Sequence, residues 1–182
     1  MELAEAVLSE GDVLRAVSMI FVTVGNANQG FRRLLDAIDD LAASEILKND
    51  SILVQCGSNS DFRPRHCAKQ DFFPPEEYRE LIERAAIVVC HGGAGTLHHV
   101  FQAGKVPVVM PRRRKYGEHV DDQYQFVKAL AEEGRIIAAF EPADLVDAIS
   151  RAGSQRVSRP VRPVQAIKLI ENAINELCTS SA

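Results

Sequence analysis

Hydrophobic and polar positions along this chain fall into two alternating periods. Short apolar runs at 19–24, 51–56, 86–90, 106–110 and 135–139 have the length and branched-aliphatic content of strands. The run Ala86-Ile87-Val88-Val89-Cys90 is unbroken, as expected of a strand covered on both faces. Between the runs, apolar residues recur at helical spacing. Leu34, Leu35, Ile38 and Leu41 predict a helix over 31–43, and Pro75 opens another over 75–84 from a favourable first-turn position. Further helices are expected over 96–103, stopped by Gly104, over 120–133 and over 142–152. Residues 25–30 and the polar, irregular stretch 58–73 read as loops, and 112–117 as a basic loop. Strands alternating with helices predict an α/β fold with a Rossmann-like, doubly wound parallel sheet, which binds ligands at the carboxyl ends of its strands.

The ends of the chain depart from this alternation. Residues 1–18 are a mildly amphipathic lead-in, either an added helix or a product of start-codon choice, and the domain proper is expected over 19–152. Residues 153–163 (GSQRVSRPVRP) form an extended Arg/Pro/Ser connector, either a solvated linker or a basic segment suited to an anionic membrane surface. In 164–182, Ile167, Ile170, Ile174 and Leu177 give a last helix an apolar stripe, which folds back or covers a partner.

Composition narrows the class. The chain has 182 residues, 46% hydrophobic, with net charge −4, enough for one domain with a substantial core. The absence of Trp, the few aromatics and the lack of an overall basic field argue against nucleic acid as a partner. Cys56, Cys67, Cys90 and Cys178 are widely spaced and form no CxxC pair, so neither a zinc site nor a disulfide framework is indicated; a reducing cytoplasm fits. No signal peptide and no membrane-length apolar run is evident.

The candidate chemistry centres on His91-Gly92-Gly93-Ala94-Gly95-Thr96, at the junction of a buried strand and a helix. Glycines there let the backbone turn sharply and approach a ligand, and a helix N-terminus offers unpaired N–H groups to a phosphate. His91 and Thr96 can each add a side-chain hydrogen bond. The run is neither the dinucleotide fingerprint nor a P-loop, and a tight turn without ligand is the plain alternative. One strand further on, Pro111-Arg112-Arg113-Arg114-Lys115-Tyr116-Gly117-Glu118-His119 and Val120-Asp121-Asp122-Gln123 reach the same sheet edge. The acids and Gln123 suit sugar hydroxyls, and the cations suit a diphosphate or a carboxylate. The alternative is a solvated charged loop in which Asp121 caps the next helix. His98 and His99, about 100° apart on a helix, make no metal site alone.

The order strand–HGGAGT–helix–GKVPVVMPRR–GEH–DDQ resembles the C-terminal, nucleotide-sugar-binding half of family 28 glycosyltransferases. It is most similar to small split members, such as the catalytic subunit of the two-subunit UDP-N-acetylglucosamine transferase of dolichol-linked oligosaccharide synthesis and exopolysaccharide transferases of the PssE type. Val22-Thr23-Val24-Gly25 with Phe31-Arg32-Arg33-Leu34 resembles the opening of that group, and the likeness spans about 19–152. It implies one domain equivalent to the C-terminal half of a GT-B enzyme. His91, Gly93, Gly95 and Thr96, with Gly92 and Ala94 in the same turn, would then hold the diphosphate of a UDP-sugar. Asp122 and Gln123 would contact the donor sugar, and Gly25 and Asn26 would line the cleft near the acceptor. Asn26 stands where Thr is usual, and His99 where many relatives carry an acid that grips the ribose.

The resemblance implies transfer of a hexosyl group, with inversion, from a UDP-sugar to a polyprenyl-diphosphate-linked acceptor in polysaccharide biosynthesis. No cofactor or metal is implied. The helix N-terminus, His91 and Arg112 or Arg113 would stabilise departing UDP; Glu118 belongs to the same loop motif; and the base would be His119 or a group on a partner. A membrane-anchored partner subunit would supply the N-terminal half, and the chain would lie on the cytoplasmic membrane face through it. A non-catalytic nucleotide-sugar-binding module is the alternative, and an epimerase is disfavoured because one chain lacks the second domain.

Overall fold

A computed structural model describes residues 18–47 and 50–155. All but the last residue of the lead-in, most of the connector and the final predicted helix lie outside these residues.

The strands are β1 (Met19–Thr23), β2 (Ser51–Gln55), β3 (Ala68–Gln70), β4 (Ile87–His91), β5 (Val108–Met110) and β6 (Ile137–Ala138). The helices are α1 (Arg32–Ala42), α2 (Pro75–Arg84), α3 (Ala94–Gln102), α4 (Tyr124–Glu132) and α5 (Leu145–Gln155). All neighbouring strands pair in parallel, in the order β3-β2-β1-β4-β5-β6, which is the doubly wound order expected. The order reverses between β1 and β4, where Ile20 pairs with Ile87 and Thr23 with Cys90. Loops leaving these two strands diverge to opposite sides and open a crevice at the carboxyl edge.

Alternation along the strands divides the core. Ile20, Val22, Val54, Val89, Val108 and Met110 face α1 and α5, whose Leu34, Leu35, Ile38, Leu145 and Ile149 complete that layer. Phe21 and Val88 meet Leu81 and Ile82 of α2 and Val100 of α3, while Cys90 and Val109 meet Leu97, Phe101, Val127 and Leu130 of α3 and α4. Both faces are therefore covered, which is why the central strands are apolar throughout.

Four elements differ from expectation. β3 lies inside the stretch read as loop; its Ala68-Lys69-Gln70 is an edge strand with largely exposed side chains, so no apolar run marks it. α3 begins at Ala94, because Gly93 adopts the extended conformation of a cap and Leu97 N–H already donates to Gly93 O at 3.0 Å. α4 begins at Tyr124, four residues late, and α5 runs to Gln155. Asp121 does not cap α4: the cap residue is Gln123, and it is the Asp122 carboxylate that accepts the Tyr124 N–H at 2.9 Å.

Asp39 sits on the buried face of α1, where its carboxylate accepts the N–H groups of Arg65 (3.0 Å) and His66 (2.8 Å). Burial acts to raise its pKa, but these two donors outweigh it and the pKa falls below the usual carboxylate value. A depressed acid stabilises the fold above its unfolded pKa, and that stability is lost as pH falls through the lower folded value. Asp39→Ala strands two backbone donors and is expected to cost about 2–3 kcal/mol in chemical denaturation at pH 7, with a smaller difference from wild type at pH 3.

Candidate functional site

Three segments meet at the carboxyl edge: the loop after β1, the turn from β4 into α3, and the loop from β5 to α4. The first is set by a buried polar chain. Thr23 Oγ1 accepts Gly25 N–H and the Gln55 side-chain amide, each at 3.2 Å, and Gln55 Oε1 accepts Phe73 N–H at 3.3 Å. Gly25 then takes a left-handed φ of +73°, as a residue without Cβ readily does.

His91 ends β4 and is buried between two glycines. A Cβ at Gly25 would lie 2.4 Å from its Cε1, and a Cβ at Gly93 would lie 2.2 Å from its Nε2. Both glycines are thus required by the close approach of one imidazole. Nδ1 is buried with no hydrogen-bond partner among the described residues. Burial, then the nearby charges of Arg112 and His119, push the pKa of His91 down to about 3, so the ring is neutral at physiological pH. The unfolded chain takes up a proton at this residue near pH 6.5, while the folded chain does not until about pH 3, so stability rises with pH across that window. Wild type is expected to lose about 2–3 kcal/mol more than His91→Gln between pH 7.5 and pH 4.5, as read from urea midpoints.

The turn delivers an open helix end. α3 has no side-chain cap and no acid in its first turn, Ala94 and Gly95 are exposed, and a Cβ at Gly95 would meet nothing within 4 Å. The positive end of the helix dipole is therefore uncapped by any side chain and exposed at Ala94 and Gly95, an arrangement that suits an anion. Thr96 is buried at the base of this end, with the Tyr78 hydroxyl of α2 beside it and Thr23.

In the third segment the structure separates residues that read alike in sequence. Arg112 is fully buried and its guanidinium donates to Gln29 O at 2.9 Å, Glu118 O at 2.7 Å and Val24 O at 2.8 Å. Burial lowers its pKa to about 10, against the opposing pull of Glu118, so it stays charged. Glu118 is also buried: its carboxylate accepts Arg33 Nε and Nη2, each at 2.9 Å, and Arg113 N–H at 2.8 Å. Arg112, expected at a ligand phosphate, and Glu118, expected at a sugar, are both placed in the body of the loop, which they brace through these protein partners. Arg113 stacks on Tyr124 at 4.4 Å and ion-pairs with Asp122 at 3.0 Å. Burial acts to raise the Asp122 pKa, but the Tyr124 N–H and Arg113 bring it below the usual value, so it remains an acceptor. Gln123 Oε1 accepts the N–H groups of Gly92 and Arg112, each at 3.0 Å, tying this loop to the glycine turn. His119 Nδ1 accepts the Asp121 N–H at 3.1 Å, and Arg114 and Lys115 are exposed.

His99, one helical turn on from the open end of α3, packs edge-on against Tyr78 with ring centroids 6.0 Å apart. Burial, then His98 and Arg79, lowers its pKa; its Nδ1 is buried and without a partner among the described residues. A neutral imidazole there can exchange one hydrogen bond, where a carboxylate would accept two. Asn26 is exposed in the loop after β1. No group of three or more metal-ligating side chains occurs among the described residues.

The structure thus brings Gly25, His91, Gly92, Gly93, Ala94, Gly95, Thr96, Asp122 and Gln123 to one edge. Sequence reasoning missed Tyr78, Thr23 and Gln55; the latter two carry a signal, since each is a polar residue closing its strand directly after an apolar run.

Residues 19–166 match the glycosyltransferase family 28 C-terminal domain. No curated protein matches the chain. Among solved structures it is similar to the glycosyltransferase of kitacinnamycin, at 19% identity over 92% of this chain and 43% of that one, with a TM-score of 0.59. It is also similar to the calicheamicin glycosyltransferase, at 16% identity over 91% of this chain and 45% of that one, with a TM-score of 0.59. At these identities the likeness is one of fold, and the chain spans under half the length of either structure.

Proposed function

Since the chain belongs to glycosyltransferase family 28 through its C-terminal domain, we propose that it is the donor-binding half of a two-component transferase. It passes a hexosyl group from a UDP-sugar to a polyprenyl-diphosphate-linked acceptor. The observation that carries this reading is the uncapped, open N-terminus of α3 at the topological switch point, beside the neutral, caged His91. Diphosphate oxygens accept from the N–H groups of this turn, and Thr96 adds a hydroxyl. Asp122 and Gln123, at the same sheet edge, would meet the sugar hydroxyls of a donor so held.

The chemistry is a single displacement with inversion. The acceptor hydroxyl oxygen bonds to the anomeric carbon as the bond from that carbon to the diphosphate breaks, and UDP leaves with the electron pair. The hydroxyl proton passes to a base, either His119 or a group on the partner. Charge building on the leaving diphosphate is met by dipoles already in place, which lowers the barrier without a cation. The partner supplies the N-terminal half and the membrane anchor; no helix among the described residues is long and apolar enough to cross a membrane.

Calorimetry with UDP, UDP-glucose, UDP-glucuronate, UDP-galactose and UDP-N-acetylglucosamine, wild type beside His91→Ala, tests the donor site. Binding of one donor, weakened in the variant, is expected; unweakened binding removes His91 from the site. The loss of an acid at His99 favours a second reading, a module that binds without turnover. Acceptor-dependent UDP release by the assembled complex separates it from a transferase.

A further inference from the structure

A strut runs beneath the site, joining its three loops without entering the space above α3. It begins at the glycine turn, where Gly92 N–H donates to Gln123 Oε1 at 3.0 Å, and the same oxygen accepts Arg112 N–H at 3.0 Å. It continues through the Arg112 guanidinium to Val24 O at 2.8 Å and Gln29 O at 2.9 Å, with a third contact to Glu118 O at 2.7 Å. The Phe31 ring lies 4.7 Å from the guanidinium carbon. The loop at 24–30 is thus closed at both ends by one side chain that is itself fully buried. Only a planar fork reaches carbonyls on two loops at once; a lysine ammonium is a point charge and cannot span them. Arg112 Nε, meanwhile, is buried without a partner among the described residues. An unmade bond at a buried donor is costly, and the clamp tolerates it because its other donors fix the group in one place.

We propose that Arg112 is a positioning residue which, with Gln123, couples occupancy of the glycine turn to the order of residues 24–30. A nucleoside diphosphate at the turn thereby shapes the acceptor side of the crevice. This rests on the donor reading above. An anion held by the first turn of α3 fixes the backbone on either side of Gly92; that fixes the Gln123 carboxamide, then Arg112, then both ends of the loop. Coupling of this kind is reciprocal, so a ligand ordering 24–30 tightens UDP by the same factor.

Hydrogen exchange on the full chain, with and without UDP at a concentration shown by calorimetry to saturate each variant, reads the coupling directly. In wild type, UDP is expected to slow exchange several-fold both at 91–97 and at 24–31. In Arg112→Lys and in Gln123→Leu, protection at 91–97 persists and the UDP-dependent change at 24–31 disappears, whereas Arg114→Ala, altering an exposed side chain of the same loop, behaves as wild type. A purely structural Arg112 would raise exchange at 24–31 without UDP yet leave the UDP-dependent difference intact, and that result overturns the proposal. Should Arg112→Lys fail to fold by circular dichroism, Gln123→Leu, which keeps the guanidinium clamp, decides the matter alone. Protection at 91–97 with none at 24–31 in wild type sinks the coupling only. No protection at 91–97 in wild type sinks the donor reading, and the coupling with it.

Discussion

Gly95→Asp is expected to leave the protein folded and at least as stable as wild type, while UDP-sugar binding falls about 100-fold or more. The two effects have separate causes. A Cβ at Gly95 meets nothing within 4 Å, so the new side chain displaces no neighbour. Replacing glycine inside α3 removes a conformational penalty, and a carboxylate in the first turn complements the helix dipole; together these contribute up to about 1 kcal/mol. The same carboxylate occupies the place proposed for the diphosphate and repels it. Thermal melting and calorimetry on one preparation check both halves, and a variant that keeps donor affinity would move the phosphate site away from α3.

Gly93→Ala should do the reverse, damaging the fold first. Its backbone lies in the ordinary extended region, at φ −79° and ψ 128°, so a side chain is not strained by conformation. The obstacle is space: the new Cβ would lie 2.2 Å from His91 Nε2 and 2.9 Å from its Cδ2, and Gly25 blocks retreat on the other side. A cost of about 3 kcal/mol is expected from this overpacking, with loss of binding. Truncating the ring should relieve it. In a double-mutant cycle of Gly93→Ala with His91→Ala, the coupling energy is expected to be about 1–3 kcal/mol in the compensating direction. A value near zero would mean that the imidazole is not the neighbour that demands glycine at 93.

The sheet and the glycine turn were legible because each rests on residue types with one strong preference. A five-residue apolar run has few places to go but a covered strand, and glycines between such a run and a helix mark a close backbone approach. Residues whose type carries no such preference were not legible. Ala68-Lys69-Gln70 forms β3 by pairing along one edge of β2, an outcome fixed by backbone hydrogen bonds and not by side-chain burial. Arg112 and Glu118 read as ligand contacts, with a solvated loop as the alternative, because charge is usually exposed. Their burial depends on Arg33, eighty-five residues before Glu118, and on carbonyls that no local pattern reveals. Asp39 did carry a sign, since an acid four residues after Leu35 lies on the apolar stripe of α1. His91 was singled out for a hydrogen bond, yet what its glycines chiefly disclose is shape.

The central place of β1 has a consequence for how the chain reaches this structure. It is the first strand described, and both its neighbours come later: β2 pairs at Ser51 and β4 not until Ile87. During synthesis one apolar edge of β1 therefore waits unpaired until β4 has emerged, and parallel pairings of such sequence separation form slowly. Fragments that stop before β4 should accumulate as aggregates, and those that end after β5 still lack α4 and α5, whose Val127, Leu130, Leu145 and Ile149 cover the sheet.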